Sequence, residues 1–236
     1  MTTPATKPGS PTPLDSGGVL ASGSAVPGVA RETSLRVQGA LFPATGMPDE
    51  DWWRALWPDP KGVVETLKIA PGMAVVDVGC GDGYFTAAIA RQVGPGVVIG
   101  LELDPAMLER AKATCAGMSS CRWLLGDAME LKRLISDPVD YVLVANTFHG
   151  VPDKAALARE VAGVLRPGGR FGIVNWHPIP RERSIVLGQP RGPRTDLRLS
   201  PGQTRSAVGT AGFEFEALIE LPPYHYATIF RRGANR

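Results

Sequence analysis

The stretch Val75-Val76-Asp77-Val78-Gly79-Cys80-Gly81-Asp82-Gly83-Tyr84-Phe85-Thr86 reads as a strand, a glycine loop and the start of a helix. Val75, Val76 and Val78 suit a strand buried on both faces. Glycine then recurs at alternate positions, Gly79, Gly81 and Gly83, so the backbone can pass close under a ligand with no side chain in the way. From Tyr84 to Val93 the apolar residues Phe85, Ala88, Ile89 and Val93 fall at helical spacing. Strand, loop and helix N-terminus make a nucleotide-type site at the carboxyl end of a first strand. The dinucleotide fingerprint would need a third glycine where Tyr84 stands, and it has no use for an acid at Asp77.

That departure bears on the ligand. Asp77 and Asp82 would repel a pyrophosphate, but not a ligand carrying ammonium and sulfonium charges. The pattern Val-x-Asp-x-Gly-x-Gly-x-Gly resembles motif I of the class I S-adenosylmethionine (SAM) dependent methyltransferases. A glycine-rich turn in another α/β domain is the plainer reading of the same residues. Cys80 reads as a small residue that fits inside the loop rather than as a catalytic thiol.

At 236 residues the chain has room for one α/β domain and a tail. A net charge of +2 is too mild to imply a nucleic-acid partner. No run approaches a membrane span, and no basic cluster precedes a continuous apolar segment as in a secretory signal. Cys80, Cys115 and Cys121 are odd in number and lack metal-type spacing, so a cytoplasmic protein with free thiols and no metal site is expected.

Residues 1–40 are rich in Pro, Gly, Ser and Thr, with only Lys7 and Asp15 charged before Arg31. They offer little apolar surface to offset ordering entropy, and a disordered tail is expected there. The domain is expected over residues 41–236. An acid-rich helix start near Pro48 leads to Trp52, Trp53 and Trp57, which either pack on the sheet or shape a substrate pocket. A second helix follows over Lys61–Leu67, and Pro71-Gly72 turns into the first strand.

Val97–Leu103 reads as the second strand. Glu102 closes it about two dozen residues after Gly79, where α/β nucleotide sites place a ribose-binding carboxylate. Asp104-Pro105 opens the next helix. Cys121–Leu125 is the third strand, Ala128–Ile135 a helix and Val139–Ala145 the fourth strand. An amphipathic helix, Lys154–Arg166, is expected to end at Pro167-Gly168-Gly169 and feed strand five, Arg170–Asn175. Residues 176–199, with five arginines, read as a loop over the cleft, either binding an anion or presenting a solvated, mobile face. A short helix from Ser200 to about Ala211 and the strands Phe213–Leu221 and Tyr224–Arg231 complete the chain.

The resemblance extends over about residues 73–231. Gly126-Asp127-Ala128 is similar to the family motif that reads the adenine edge, though Asp127 also suits a helix N-cap. Asn146-x-x-His149, followed by Val161–Gly169, looks like the small-molecule type 11 branch. The resemblance implies a Rossmann-like α/β fold with a seven-stranded sheet, order 3-2-1-4-5-7-6, strand seven antiparallel and helices on both faces. It implies SAM as cofactor, held by Asp77, Gly79, Cys80, Gly81, Gly83, Tyr84, Glu102, Leu103, Asp127, Ala128 and Asn146. The reaction it implies is in-line methyl transfer to a small-molecule acceptor, with S-adenosylhomocysteine released. Trp53, His149, His177 and Tyr226 are the candidate acceptor residues, and His149 or His177 the candidate general base. A non-catalytic SAM-binding protein is the alternative, and an NAD enzyme is disfavoured by Asp77 and Tyr84.

Because the tail cannot support a core, a chain starting at Ala40 should match the full-length protein in melting temperature and SAM affinity. A fall of several degrees in a thermal melt would show instead that the tail packs on the domain.

Overall fold

A computed structural model of the protein describes residues 50–233. The expected tail 1–40 and the stretch Phe42–Pro48 lie outside these residues. The described chain runs α1 (Glu50–Leu56), α2 (Pro60–Thr66), β1 (Ala74–Val78), α3 (Tyr84–Val93), β2 (Val97–Glu102), α4 (Pro105–Thr114) and β3 (Cys121–Leu125). It continues through α5 (Leu131–Leu134), β4 (Val139–Ala145), α6 (Lys154–Val164) and β5 (Leu165–Trp176). After a two-strand hairpin, β6 (Ile185–Val186) and β7 (Gln189–Pro190), come α7 (Pro201–Gly209), β8 (Phe213–Leu221) and β9 (His225–Arg232).

The main sheet has seven strands in the order β3-β2-β1-β4-β5-β9-β8. Strands β3 to β5 are mutually parallel, and β9 runs antiparallel between β5 and β8. This is the expected topology, with β8 and β9 as its sixth and seventh strands. Alternation along the strands supplies two cores. Val75, Tyr141, Leu143, Val174 and Ile229 pack with α1, α2 and α3 on one face. Val76, Val142, Val144, Ile173 and Phe230 pack with α6 and α7 on the other. Helices on both faces explain why the central strands read as continuous apolar runs. Among the described residues, no helix is long and apolar enough to cross a membrane.

Helix starts follow side-chain caps. Asp59, Asp104, Asp153 and Ser200 each accept a backbone N–H of the first turn of the helix that follows. The helix expected over Ala128–Ile135 is a single 3₁₀ turn, Ala128–Glu130, running into the short α5. Strand five starts earlier than expected. Leu165 already pairs with Val139, and the ladder resumes at Arg170 opposite Tyr141. Pro167-Gly168-Gly169 is therefore a bulge within β5 rather than a loop ahead of it. A Cβ on Gly169 would lie 2.9 Å from the Arg166 carbonyl oxygen, so the tight path needs glycine.

In the loop from 177 to 199, Arg183 and Arg194 are exposed and Arg181 and Arg191 half-buried, and one arginine departs from the expected solvated face. Arg198 is buried at the centre of the loop, 5% exposed. Its guanidinium donates to the carbonyl oxygens of Ile179 (3.1 Å), Arg191 (3.0 Å) and Pro193 (3.1 Å) and to Ser184 Oγ (2.7 Å). It also lies 5.0 Å above the Trp176 ring. Burial lowers its pKa to about 10, which leaves it cationic at neutral pH. The loop is wrapped around one planar five-donor group that lysine cannot replace. Arg198→Lys is expected to cost at least about 2 kcal/mol, from lost charge-assisted hydrogen bonds. That corresponds to about 4–8 °C in Tm for a domain of this size. Differential scanning calorimetry and the rate of tryptic cleavage within 178–197 check it.

Candidate active site

The glycine loop leaves β1 beside the ends of β2 and β4. Gly79 and Cys80 both donate backbone N–H to the Leu101 carbonyl, at 2.8 and 3.1 Å. Gly79 and Gly83 have φ of 67° and 85°, where side chains are strained. A Cβ on Gly79 would stand 3.0 Å from Thr147 Cγ2, and one on Gly83 3.0 Å from Ala111 Cα. Both glycines let the loop nest against the β4 end and α4. Cys80 is buried among apolar groups, which pushes its thiol up, so it is a filler rather than a nucleophile.

Glu102 is fixed by three backbone donors. Oε2 accepts from Gly81 N (2.9 Å), and Oε1 accepts from Leu103 N (2.8 Å) and Asp104 N (3.0 Å). Its backbone carbonyl accepts from Gly126 N, 2.9 Å away, which draws the β3 end to it. Asp127 Oδ1 accepts from Met129 N at 2.9 Å, so the N-cap role is filled. At the end of β4, Asn146 takes φ 60°, a left-handed conformation tolerated by asparagine and frequent at functional sites. Its Oδ1 and the Thr147 hydroxyl are buried with no hydrogen-bond partner among the described residues. The structure thus brings Asp77, the glycine loop, Glu102, Leu103, Asp127, Ala128 and Asn146 to the carboxyl ends of four adjacent strands.

The acceptor candidates are only partly gathered. Trp53 is buried and stacks on Trp57 at 5.4 Å and on Tyr84 at 6.4 Å, so the covering helix does reach the loop. The Tyr84 hydroxyl donates to the Trp57 carbonyl. His149 is buried on a 3₁₀ turn, Phe148–Gly150, just beyond β4. His177, after β5, is part-exposed and bonded to Glu220 Oε2 at 2.8 Å. Tyr226 is fully buried, and its hydroxyl donates to the Leu199 carbonyl (2.8 Å) and bonds Thr204 Oγ1 (2.8 Å). Those bonds make it a strut between β9 and α7. His225, noted in the sequence only as a strand residue, is fully buried, with neither ring nitrogen hydrogen-bonded among the described residues. A polar group in that state costs about 1–3 kcal/mol. The alternation His225, Ala227, Ile229 on one face was the available signal.

Residues 75–169 match the family model described as a methyltransferase domain. A demethylmenaquinone methyltransferase of Staphylococcus aureus (strain JH9) is 36% identical over 110 residues, which are 46% of this chain and 45% of that relative. The match therefore spans less than half of the relative's length. A SAM-dependent methyltransferase from Aquifex aeolicus superposes with TM-score 0.66 at 22% identity, over 78% of this chain and 94% of that one. One from Mesorhizobium loti gives TM-score 0.57 at 25% identity, over 75% of this chain and 98% of that one. Residues 75–169 thus carry a methyltransferase domain, and the fold is that of SAM-dependent methyltransferases.

The residues at the strand ends suit SAM as the cofactor. Asp77, Glu102 and Asp127 set three carboxylates there, and Asn146 Oδ1 is a buried acceptor without a hydrogen-bond partner among the described residues. Asp77 is 2% exposed and accepts from Thr86 Oγ1 at 2.6 Å. Burial, reinforced by the nearby Glu102 charge, raises its pKa to about 6 despite that bond. The folded chain thus holds a proton more tightly than the unfolded one. Stability falls as pH rises from about 4 to about 6 and stays lower above. A cation over the loop favours the ionised form, and SAM carries an ammonium and a sulfonium. SAM affinity should therefore rise between pH 5 and pH 7 by up to about tenfold, and Asp77→Asn should flatten the profile. Titration calorimetry at several pH values checks both.

Proposed function

We propose that this protein catalyses methyl transfer from SAM to a small-molecule acceptor. The Glu102 carboxylate carries the reading, because it is held by three N–H groups at the strand end facing the glycine cradle. Oε1 already accepts two N–H groups, whereas Oε2 accepts one and has a further lone-pair direction for a ribose hydroxyl. Asp127 and Ala128 would meet the adenine edge, and Asn146 the region beside the sulfonium. When bound, SAM supplies an electrophilic methyl for in-line displacement, with S-adenosylhomocysteine leaving.

The chain's own part is chiefly positioning, for which effective molarities of about 10⁵–10⁸ M are known. Trp53 and Tyr84 would cover the cofactor side and exclude water. His149, just past β4, and His177, oriented by Glu220, are the candidate bases for an acceptor that must lose a proton. The net charge of +2 favours a small acceptor over a nucleic acid. The three cysteines are free and buried, which suits a reducing cytoplasm.

Calorimetry should show SAM binding to the wild type. Glu102→Ala should weaken it at least about tenfold, since a charge-assisted hydrogen bond worth about 1.5–3 kcal/mol is lost. Incubation with methyl-labelled SAM and a fractionated cell extract should then label a small molecule. SAM binding with no labelled product in any fraction would favour a non-catalytic SAM-binding protein.

A further inference from the structure

Gly202, Arg205, Ser206 and Gly209 recur at i, i+3, i+4 and i+7, so they form one stripe along α7. All four are exposed. Across from the stripe lie Phe213 and Phe215 of β8 and Phe230 of β9, and between them runs an open groove of about 420 Å³. Small-molecule sites occupy about 300–1,000 Å³. A Cβ on Gly209 would meet nothing within 4 Å, and one on Gly202 only Ser200 Oγ at 3.9 Å. Packing within the chain therefore does not require glycine at either place, and both widen the groove.

The wall opposite α7 is aromatic. Phe230 lies 6.5 Å from Phe213 and 5.9 Å from Phe215, ring centre to ring centre. Phe213 and Phe230 are buried, whereas Phe215 remains 38% exposed. The Arg205 guanidinium lies over that exposed ring, 3.9 Å from its centre. Among the described residues Arg205 makes no hydrogen bond or ion pair. The acids of β8 do not serve it. Glu214 alternates to the face opposite Phe213 and Phe215. Glu216 is held by Lys68 and Arg170, and Glu220 by His177. A guanidinium with its donors open, set against an apolar wall, suits a carboxylate bound by two parallel N–H groups. Shielding of Phe215 explains a stacked arginine, but not the open glycine stripe beside it.

We infer that the groove between α7 and β8 binds a small aromatic carboxylate, a ligand distinct from SAM and from the methyl acceptor. The groove is far from the cofactor end. Phe230 pairs with Phe171, and β5 runs on from there to Trp176 at the carboxyl edge. That is about 16 Å of strand, at about 3.3 Å per residue. The carboxylate takes the open N–H groups of Arg205, and the ring rests against Phe215 in offset or edge contact, with Phe213 and Phe230 behind it. The Ser206 hydroxyl, on the same helix face, is available to a second polar substituent. A neutral amide of the same shape keeps the ring contacts and loses the charge-assisted pair.

The test titrates the full-length protein with 2-naphthoate and, separately, with 2-naphthamide, with S-adenosylhomocysteine added to occupy the cofactor end and ligand-observed NMR as readout. The wild type should bind 2-naphthoate at least about fivefold more tightly than the amide, as expected of a half-exposed charge-assisted pair. Arg205→Gln should bring the two probes to equal affinity with Tm unchanged. Gly209→Leu, which fills the groove and leaves the arginine in place, should weaken both probes, again at unchanged Tm. A wild type that binds both probes alike, or neither, overturns the inference. So does a preference for 2-naphthoate that survives Arg205→Gln, or binding that is untouched by Gly209→Leu, since either puts the anion somewhere other than this groove.

Discussion

Glu102 is the point through which the cofactor end of the sheet is assembled. One carboxylate accepts N–H groups from Gly81, Leu103 and Asp104, and so joins the glycine loop, the β2 end and the N-cap of α4. Its backbone carbonyl holds Gly126, which brings β3 and Asp127 alongside. An ion kept in place by fixed dipoles needs no reorganisation when a ligand hydroxyl arrives. The left-handed glycines follow from this, since the loop must fold back far enough for Gly81 N to reach the β2 end.

Asp77 lies under the same loop with the opposite character. Glu102 accepts three backbone N–H groups, whereas Asp77 has one hydroxyl donor and deep burial. Burial is the main reason that the Asp77 pKa is raised, and the Glu102 charge adds to it. A cation over the loop favours the ionised carboxylate, so cofactor binding is coupled to the titration of Asp77.

Much of this architecture was legible because local signals agreed with tertiary ones. The helix Tyr84–Val93 and the strands Cys121–Leu125, Val139–Ala145 and Phe213–Leu221 fall where their apolar spacing and flanking turn residues placed them. The early start of β5 was hidden because Pro167-Gly168-Gly169 is a turn signal whether it ends a helix or bulges a strand. Arg198 was hidden because an arginine among prolines looks solvated, and only the folded loop shows four acceptors converging on it. Tyr226 and His225 are neighbours in sequence on opposite faces of β9. Periodicity separates their faces but cannot say that one hydroxyl would be engaged and the adjacent imidazole packed between Trp57 and Trp176.

The buried guanidinium also determines which parts of the covering loop are free to change. Arg198 meets the carbonyls of Ile179, Arg191 and Pro193 through backbone atoms, so the side chains at those positions are not what it recognises. The loop is in effect a template of peptide oxygens around a single cationic pin. Its outer side chains, among them Arg183, Leu187 and Arg194, can be exchanged without loosening it. A segment that follows the end of β5 can therefore diversify its surface chemistry while its shape stays constant.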